Sequence, residues 1–565
     1  MRRSSDSPAG ALSAAAAVIV FAAAVLIVFP AATQTGDSLE YARAVRSGTN
    51  LFHPHHLLFN AVVRGFWLGL RSVFPSIDPI AAGQVHNILW ALAALAAFFT
   101  IVRRLTGSTG AAAVFSLALF SALGFWQYAT FVEIYIPSLG CLAVSLVFLL
   151  SPRPGPPGPG ARTAATGFFV LAVLYNQMAV FFVLALAVLL TPRLNAREAW
   201  RTVRLIAAAG AIVLGAYAAV FFTAARPAAS AGFVRWCLSY AFNPDPTWGS
   251  FSNVSLLGLC KLFLSFARDV LFIPRSLLVP ASIVSGVLCA GLAVPVLRSI
   301  ARRKPAANAR IALVLWILGT ALFMWWFSPA GYELSIPLLL PAFLILALIS
   351  ADGWEAAGGG KARRLILSGA AAVVLFVFLF NLTAAVLPAH ASRGVDYSRA
   401  GLIEKNVPAE ATVFADFWLE ENLRYYFNRT AVIEEGPVLF SFYRFKDLSP
   451  DMIPDPDRPV VASVELLSPR TRPEGLFGGD VQPLEWRAFI EWICGCEIRD
   501  GRVTAARTPS PLAGLPEYLL LSGERKPVEG LAGLFRLLDA AAAAAAPEFS
   551  GSFSAWLERH PDAAR

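Results

Sequence analysis

The sequence predicts an α-helical polytopic membrane protein that carries a C-terminal extracytoplasmic domain of α/β or α+β type. Of its 565 residues, 57% are hydrophobic and only 15% are charged. The mean hydropathy is +0.61, which suits a chain of membrane spans and not a soluble domain of this length. Charge is divided unevenly: residues 1–386 hold 27 Lys/Arg against 11 Asp/Glu, and residues 387–565 hold 19 against 26. Apolar runs of about 20 residues recur up to residue 386 and then stop. Residues 1–386 are therefore expected to form the membrane domain and 387–565 a soluble domain. The net charge of +9 then reflects topology and gives no reason to invoke nucleic acid.

The first span is read at 11–32, behind Arg2 and Arg3. Its length, with Asp37 following at once, favours an uncleaved anchor over a signal peptide. A first outer loop, 33–78, comes next. Within it Asp37, Glu40, Tyr41 and Ala44 recur at helical spacing, with Thr35 or Asp37 available as N-cap and Gly48 as the stop. His55–Phe74 is expected as a second, amphipathic helix with Arg64 and Arg71 on its polar side. Further spans are read near 79–102, 109–125, 136–150, 164–190, 204–225, 276–298, 309–328, 334–351 and 364–386.

Connections holding Arg103-Arg104, Arg153 with Arg162, Arg193 to Arg204, Arg298 to Arg310 and Lys361 to Arg364 are basic, and so are assigned to the inside. The short connections around Glu133 and Glu333 have no Lys or Arg and are assigned to the outside. Both ends of 164–190 are basic, which requires a hairpin of two short helices turning at Tyr175-Asn176-Gln177. Such a polar turn is tolerable at membrane depth only where it lines protein or a water-filled cavity. The result is about eleven transmembrane helices with the N-terminus inside and 387–565 outside.

In the tail, 411–414 and 459–464 read as strands, Phe417–Phe427 as a helix, and Ala540–Ala546 as part of a surface helix. Cys494 and Cys496 form a C-x-C pair without further ligands nearby, so a local disulfide or two idle thiols are expected there, not zinc.

Asp37, Glu40, Glu133 and Glu333 lie at the outer ends of spans or in short outer loops, where ionisable groups are costly and point to function. Their alternative is a solvated loop charge, or for Asp37 a plain helix cap. Glu133 is followed by Tyr135, and Glu333 preceded by Tyr332, in aromatic surroundings. His53, His55 and His56 invite a metal reading, but adjacent His55 and His56 point different ways on a helix. Hydrogen bonding to a sugar or phosphate is preferred. No metal ligand is assigned, and a divalent cation at the outer-face carboxylates stays open. Arg235, Lys261, Arg268 and Arg275 of the outer segment 226–275 could hold a lipid phosphate or meet anionic headgroups.

At these residues the chain resembles the GT-C superfamily of polytopic glycosyltransferases, in particular its protein O-mannosyltransferase-like branch and bacterial relatives. The matching pieces are Gly36-Asp37-Ser38 with Glu40-Tyr41, then His53-Pro54, then Glu133-Ile134-Tyr135, then Asn176-Gln177, then Tyr332-Glu333. The family's usual His-Pro-Pro is His53-Pro54-His55 here, and its tandem acidic pair is replaced by Asp37 with Glu40.

The resemblance implies a transferase in the bacterial inner membrane, with a periplasmic C-terminal domain and a polyprenyl-phosphate sugar as donor. It makes Asp37 the general base of an inverting transfer to an acceptor hydroxyl, helped by burial that would raise its pKa. Glu133 would orient the acceptor or hold a cation. Glu40, Tyr41, His53, His55, His56, Tyr135, Asn176, Gln177, Arg235, Lys261, Tyr332 and Glu333 would bind substrate. The acceptor, whether protein, lipid or glycan, is left open. The alternative is a transporter or flippase of a lipid-linked sugar, which is often built from repeated halves; no internal repeat is visible.

Overall fold

The computed structural model describes residues 7–150, 157–191, 195–225, 232–239, 307–327, 332–356, 360–435, 458–468, 483–500 and 502–560. The chain divides into two compact units. One is a helical membrane unit within Met1–Ser392, and the other joins Gln34–Glu40 to Arg393–Arg565.

The membrane unit is almost wholly helical. Helix α1, Pro8–Val28, starts where Ser7 Oγ accepts from the Gly10 amide at 3.0 Å with Pro8 in the first turn. Helix α2 is Gly36–Ser47 and α3 is Phe59–Arg71. Helix α4, Pro79–Thr106, opens the same way, with the Asp78 carboxylate accepting from the Ala81 amide at 2.8 Å. There follow α5 (Thr109–Ser121), α6 (Leu123–Thr130), α7 (Tyr135–Leu149) and α8 (Pro159–Tyr175). A 3-10 turn, Gln177–Phe182, leads into α9 (Val183–Leu190). Next come α10 (Ala196–Val220), α11 (Phe233–Cys237), α12 (Ala307–Phe327), α13 (Ile336–Ala356) and α14 (Gly360–Asn381).

Helix α4 is the centre of the bundle and packs on α1, α3, α5, α6, α7 and α13. Its run of Ala at 91, 94 and 97, all buried, lets these neighbours come close. Helices α10 and α14, by contrast, keep most of their apolar surface exposed. The emerging end of α1 is tied down by amide donation from Ala32 and Thr33 to the Ala389 carbonyl at 2.9 and 3.0 Å.

Among the described residues, six helices are long and apolar enough to cross a membrane, or seven if the α5–α6 pair, bent by 65°, counts as one span. Eleven were expected. The difference has physical sources: the expected span 276–298 lies outside the described residues, 136–150 is the 15-residue α7, and 164–190 is interrupted. The interruption falls at Asn176, whose extended backbone (φ −153°) ends α8. Beyond it α9 packs mainly on α12, whereas α8 packs on α7 and α10.

The second unit contains a six-stranded mixed sheet, as expected for an α/β or α+β domain. Helix α15 (Val395–Asn406) leads into β1 (Thr412–Ala415), α16 (Phe417–Phe427), β2 (Val432–Glu434) and β3 (Val460–Ser463). Then come α17 (Pro483–Ile493), β4 (Glu497–Arg499), β5 (Arg502–Leu512), β6 (Leu515–Pro527), α18 (Gly530–Ala545) and α19 (Ser552–Arg559). The strand order is β2-β1-β3-β6-β5-β4. Strand β1 pairs in parallel with β2 (Val413 opposite Val432) and with β3 (Thr412 opposite Val460), and the remaining pairings are antiparallel.

Successive strand residues face opposite sides. Val413 and Val461 join Ile403, Leu419 and Leu423 in one core, while Phe414, Val460 and Ala462 join Phe489, Phe535 and Trp556 in the other. The alanine run expected on a surface helix does part of this packing: Ala541, Ala542 and Ala545 of α18 are buried. Cys494 and Cys496 are free thiols, so the local disulfide does not form. Burial pushes the Cys496 thiol up to about 12.

Candidate functional site

The first outer loop begins with a resolved choice between two caps. Thr35 Oγ1 accepts from the Ser38 amide at 2.9 Å, so Thr35 is the N-cap of α2 and Asp37 is not. Asp37 occupies the first turn and is exposed, contrary to the burial expected of it. A carboxylate there also interacts favourably with the positive end of the helix dipole. Gly36 is closely packed, because a Cβ at this position would fall 2.6 Å from the Phe417 ring. Glu40 is half-buried and adds to the repulsion that, after burial, holds the Glu434 carboxyl above its usual range. Gln34–Glu40 thus belongs to the compact unit of the C-terminal sheet, whereas Tyr41 belongs to the membrane unit. At the far end of α2, Gly48 has φ +79° and lies against the Arg64 guanidinium, which donates to the Val45 carbonyl.

The helix expected over His55–Phe74 starts only at Phe59. Pro54 lacks an amide proton, and the His53–Leu58 stretch makes a turn in which the His56 amide donates to the His53 carbonyl at 3.2 Å. The rings of His53 and His56 stack with centroids 4.6 Å apart, and Tyr41 meets His56 edge-on at 4.6 Å. His55 points elsewhere: Nδ1 lies 3.4 Å from Gln177 Oε1, and Nε2 lies 3.0 Å from Ser239 Oγ. Gln177 completes the junction by donating its amide to the His55 carbonyl at 2.9 Å and its Nε2 to the Cys237 carbonyl at 2.9 Å. Tyr217 donates to the Pro54 carbonyl at 2.6 Å. Four chain segments far apart in sequence therefore meet at one turn, and they bring α11, with exposed Arg235, to it.

Burial keeps these imidazoles neutral. His53 is pushed down to about 4 and His55 to about 2, the latter also by the neighbouring His53. His56 lies well below its ordinary value for the same reasons. A neutral ring can donate through one nitrogen and accept through the other, which suits hydrogen bonding to a polyol or phosphate.

Glu133 is 2% exposed. Its loop is held by α4: Asn87 Nδ2 donates to the Phe131 carbonyl at 2.8 Å and the Glu133 carbonyl at 2.7 Å. Gln84 Nε2 donates to the Ala31 and Thr130 carbonyls, both at 2.8 Å. His86 links this layer to the histidine turn, lying 3.3 Å from the Tyr175 hydroxyl and edge-on to Phe59. Tyr135 is buried with its ring edge-on to Tyr128. Asn176 is buried, and its Oδ1 accepts from the Met178 amide at 3.0 Å, which caps the 3-10 turn. Gln84, His86 and Asn87 were missed by the sequence reading. Their signal was available: three polar residues within four positions of an otherwise apolar span.

Glu333 is half-buried in the 3-10 turn Tyr332–Ser335, which packs on α6. The Tyr332 side chain, Lys261, Arg268 and Arg275 lie outside the described residues. No three His, Cys, Asp or Glu side chains among the described residues are grouped to hold a metal ion. The histidine turn does not fit one either, since His55 is engaged at both ring nitrogens and His53 and His56 face each other ring to ring.

No known protein family and no curated protein matches this sequence. Solved structures do match its fold. ArnT from Cupriavidus metallidurans bound to undecaprenyl phosphate superposes at a TM-score of 0.54 and 14% identity, over 82% of this chain and 94% of that one. The apo state of the same protein gives 0.53 and 14%, over 90% and 98%. A looser likeness, TM-score 0.44 at 12% identity over 85% and 71%, is to the archaeal oligosaccharyltransferase AglB from Archaeoglobus fulgidus in complex with an inhibitory peptide and a dolichol-phosphate.

Proposed function

We propose that the protein is a membrane glycosyltransferase that moves a sugar from a polyprenyl-phosphate donor to an acceptor hydroxyl at the outer face of the membrane. The observation that carries this reading is the near full-length fold shared with ArnT, a protein captured with undecaprenyl phosphate. Fold alone does not define chemistry, so the residues must supply a reason of their own. Thr35 takes the cap of α2, and the Asp37 carboxylate lies exposed in the first turn of that helix.

Asp37 is assigned as general base. It would take the proton of the acceptor hydroxyl as that oxygen bonds to the anomeric carbon; the bond from that carbon to the phosphate oxygen breaks, and polyprenyl phosphate leaves with the electron pair. A single displacement inverts the anomeric configuration. Arg235 and Lys261 are assigned to the phosphate, where cations stabilise the charge that develops on leaving. Glu133 would orient the acceptor or hold a divalent cation. The neutral His53, His55 and His56, with Tyr41, Tyr135, Asn176 and Gln177, would supply hydrogen bonds and walls for the sugar; Glu40, Tyr332 and Glu333 would contribute to substrate binding. The kind of sugar, hexosyl or pentosyl, and a finer placement in the O-mannosyltransferase-like branch belong to the same proposal. So do the bacterial inner membrane, the cytoplasmic N-terminus and the periplasmic C-terminal domain.

The test is turnover of radiolabelled polyprenyl-phosphate sugars by the full chain in lipid, wild type against Asp37→Asn. Donor consumption that disappears in the mutant supports the assignment. Full activity in the mutant would remove Asp37 from the reaction, and movement of intact donor between leaflets would favour a flippase.

A further inference from the structure

We propose that the cavity between the first turns of α8 and α10 binds the phosphate of an anionic membrane lipid. The cavity measures about 660 Å³ and is lined by Pro157, Gly158, Arg162, Glu198, Arg201 and Arg204 among others. That volume is within the range of small-ligand pockets and ample for a phosphoglycerol headgroup.

Its wall is built and not merely charged. Arg162, 9% exposed at its side chain, donates Nε to the Pro157 carbonyl at 2.8 Å and Nη2 to Glu198 at 2.7 Å. Glu198 also accepts from Arg201 at 3.1 Å. One carboxylate is thus set against three guanidinium groups, leaving an excess of two positive charges in the lining. Arg204 pairs with no carboxylate among the described residues and is exposed. Guanidinium groups suit phosphate because their planar donors can bind two oxygens at once. The first turn of α8 borders the cavity as well: its cap position, Gly158, lines it, and no side chain caps the helix there.

A lipid is the preferred source because of what continues along α10. Trp200 and Val203, beside the arginines, are 62% and 53% exposed, and Leu214, on the same side of the helix further along, is 60% exposed. An acyl chain could follow that apolar face while its headgroup occupies the cavity. Trp200 at the charged end fits the usual place of tryptophan at a membrane interface.

The experiment is native mass spectrometry of the full-length protein with phosphatidylglycerol and phosphatidylcholine, comparing wild type with the double variant Arg201→Gln, Arg204→Gln. Arg162 is kept so that its bonds to Pro157 and Glu198 persist, and circular dichroism checks folding. A second double variant, Lys361→Gln with Arg364→Gln, removes two exposed cations from α14 as a control for general charge. The expected result is preferential retention of phosphatidylglycerol, weakened roughly tenfold in the cavity variant and unchanged in the control. Equal losses in both variants, or no loss in either, would overturn the site. Displacement of the lipid by millimolar inorganic phosphate would keep the phosphate site and overturn the lipid as its source.

Discussion

Replacing Asn87 by Leu tests whether α4 positions the Glu133 loop. Asn87 is fully buried, and its amide nitrogen serves the Phe131 and Glu133 carbonyls at 2.8 and 2.7 Å. Leu keeps the number of side-chain heavy atoms and the branch at Cγ, with bulkier methyl groups in place of the amide, so the change removes the donors without opening a void. Each buried carbonyl deprived of this donor costs about 1–3 kcal/mol, for a combined loss of about 2–6 kcal/mol. Part of that cost would be relieved by displacement of the loop, which is why activity should fall along with stability. A shift of about 1 Å in a positioning group can lower turnover about a hundredfold. The assay is thermal unfolding in detergent together with donor turnover. Leu89→Ala serves as a control on the same helix, where Leu89 is 53% exposed and no such effect is expected. An Asn87→Leu protein with wild-type melting temperature and wild-type turnover would refute the idea that these two hydrogen bonds hold the site.

Three further outcomes are expected. Gly36→Ala places a methyl 2.6 Å from the Phe417 ring, so the variant should lose about 1–3 kcal/mol of stability, and Phe417→Leu in the same chain should restore much of it; additive losses would show that the two do not compete for space. The histidine turn should make the protein acid-sensitive. His53 and His55 titrate near 4 and 2 when folded against 6.5 unfolded, so stability is held above about pH 6.5 and lost as pH falls, at up to ~1.4 kcal/mol per pH unit for each histidine. His56→Phe should flatten that slope, and an identical slope would mean the rings are hydrated in the folded state. Glu435 should act in the opposite sense. Burial first, then repulsion from Asp416, raise it to about 7 from 4.5, against the bond from Ser463, so its contribution is present below about pH 4.5 and lost as pH rises through 7. Glu435→Gln should then stabilise the C-terminal unit by roughly 3 kcal/mol at most at pH 8 and little at pH 5; an equal gain at both would refute the shift.

Much of the architecture was legible because it follows from local rules. Apolar runs locate α1, α4, α10, α12, α13 and α14 with only boundary differences, since a span must satisfy its own backbone hydrogen bonds within the segment. The break at Asn176 was read from the basic residues at both ends of 164–190, and the helix Phe417–Phe427 falls where it was read, with the Asp416 carboxylate as its N-cap. The alanine run was read less well, because an all-alanine stretch has no amphipathic contrast to show which side the core will cover.

What the sequence determined by itself was composition-driven: a helical membrane portion, an acidic soluble tail with strands and helices, and a short roster of polar residues in apolar surroundings. Tertiary structure decided which of those residues act together. His53, His55 and His56 sit three positions apart at most, yet His55 is bound to Gln177 and Ser239 while His56 packs on Tyr41. Nothing local specifies partners more than a hundred residues away. The cap of α2 is the same kind of choice: Thr35 and Asp37 were both competent by residue type, and the backbone entering the helix placed the hydroxyl of Thr35 against the Ser38 amide. Asn87 was hidden for the complementary reason. An amide in a membrane span reads as a cost until the carbonyls it satisfies, those of Phe131 and Glu133, are brought to it by the packing of α4 beneath that loop.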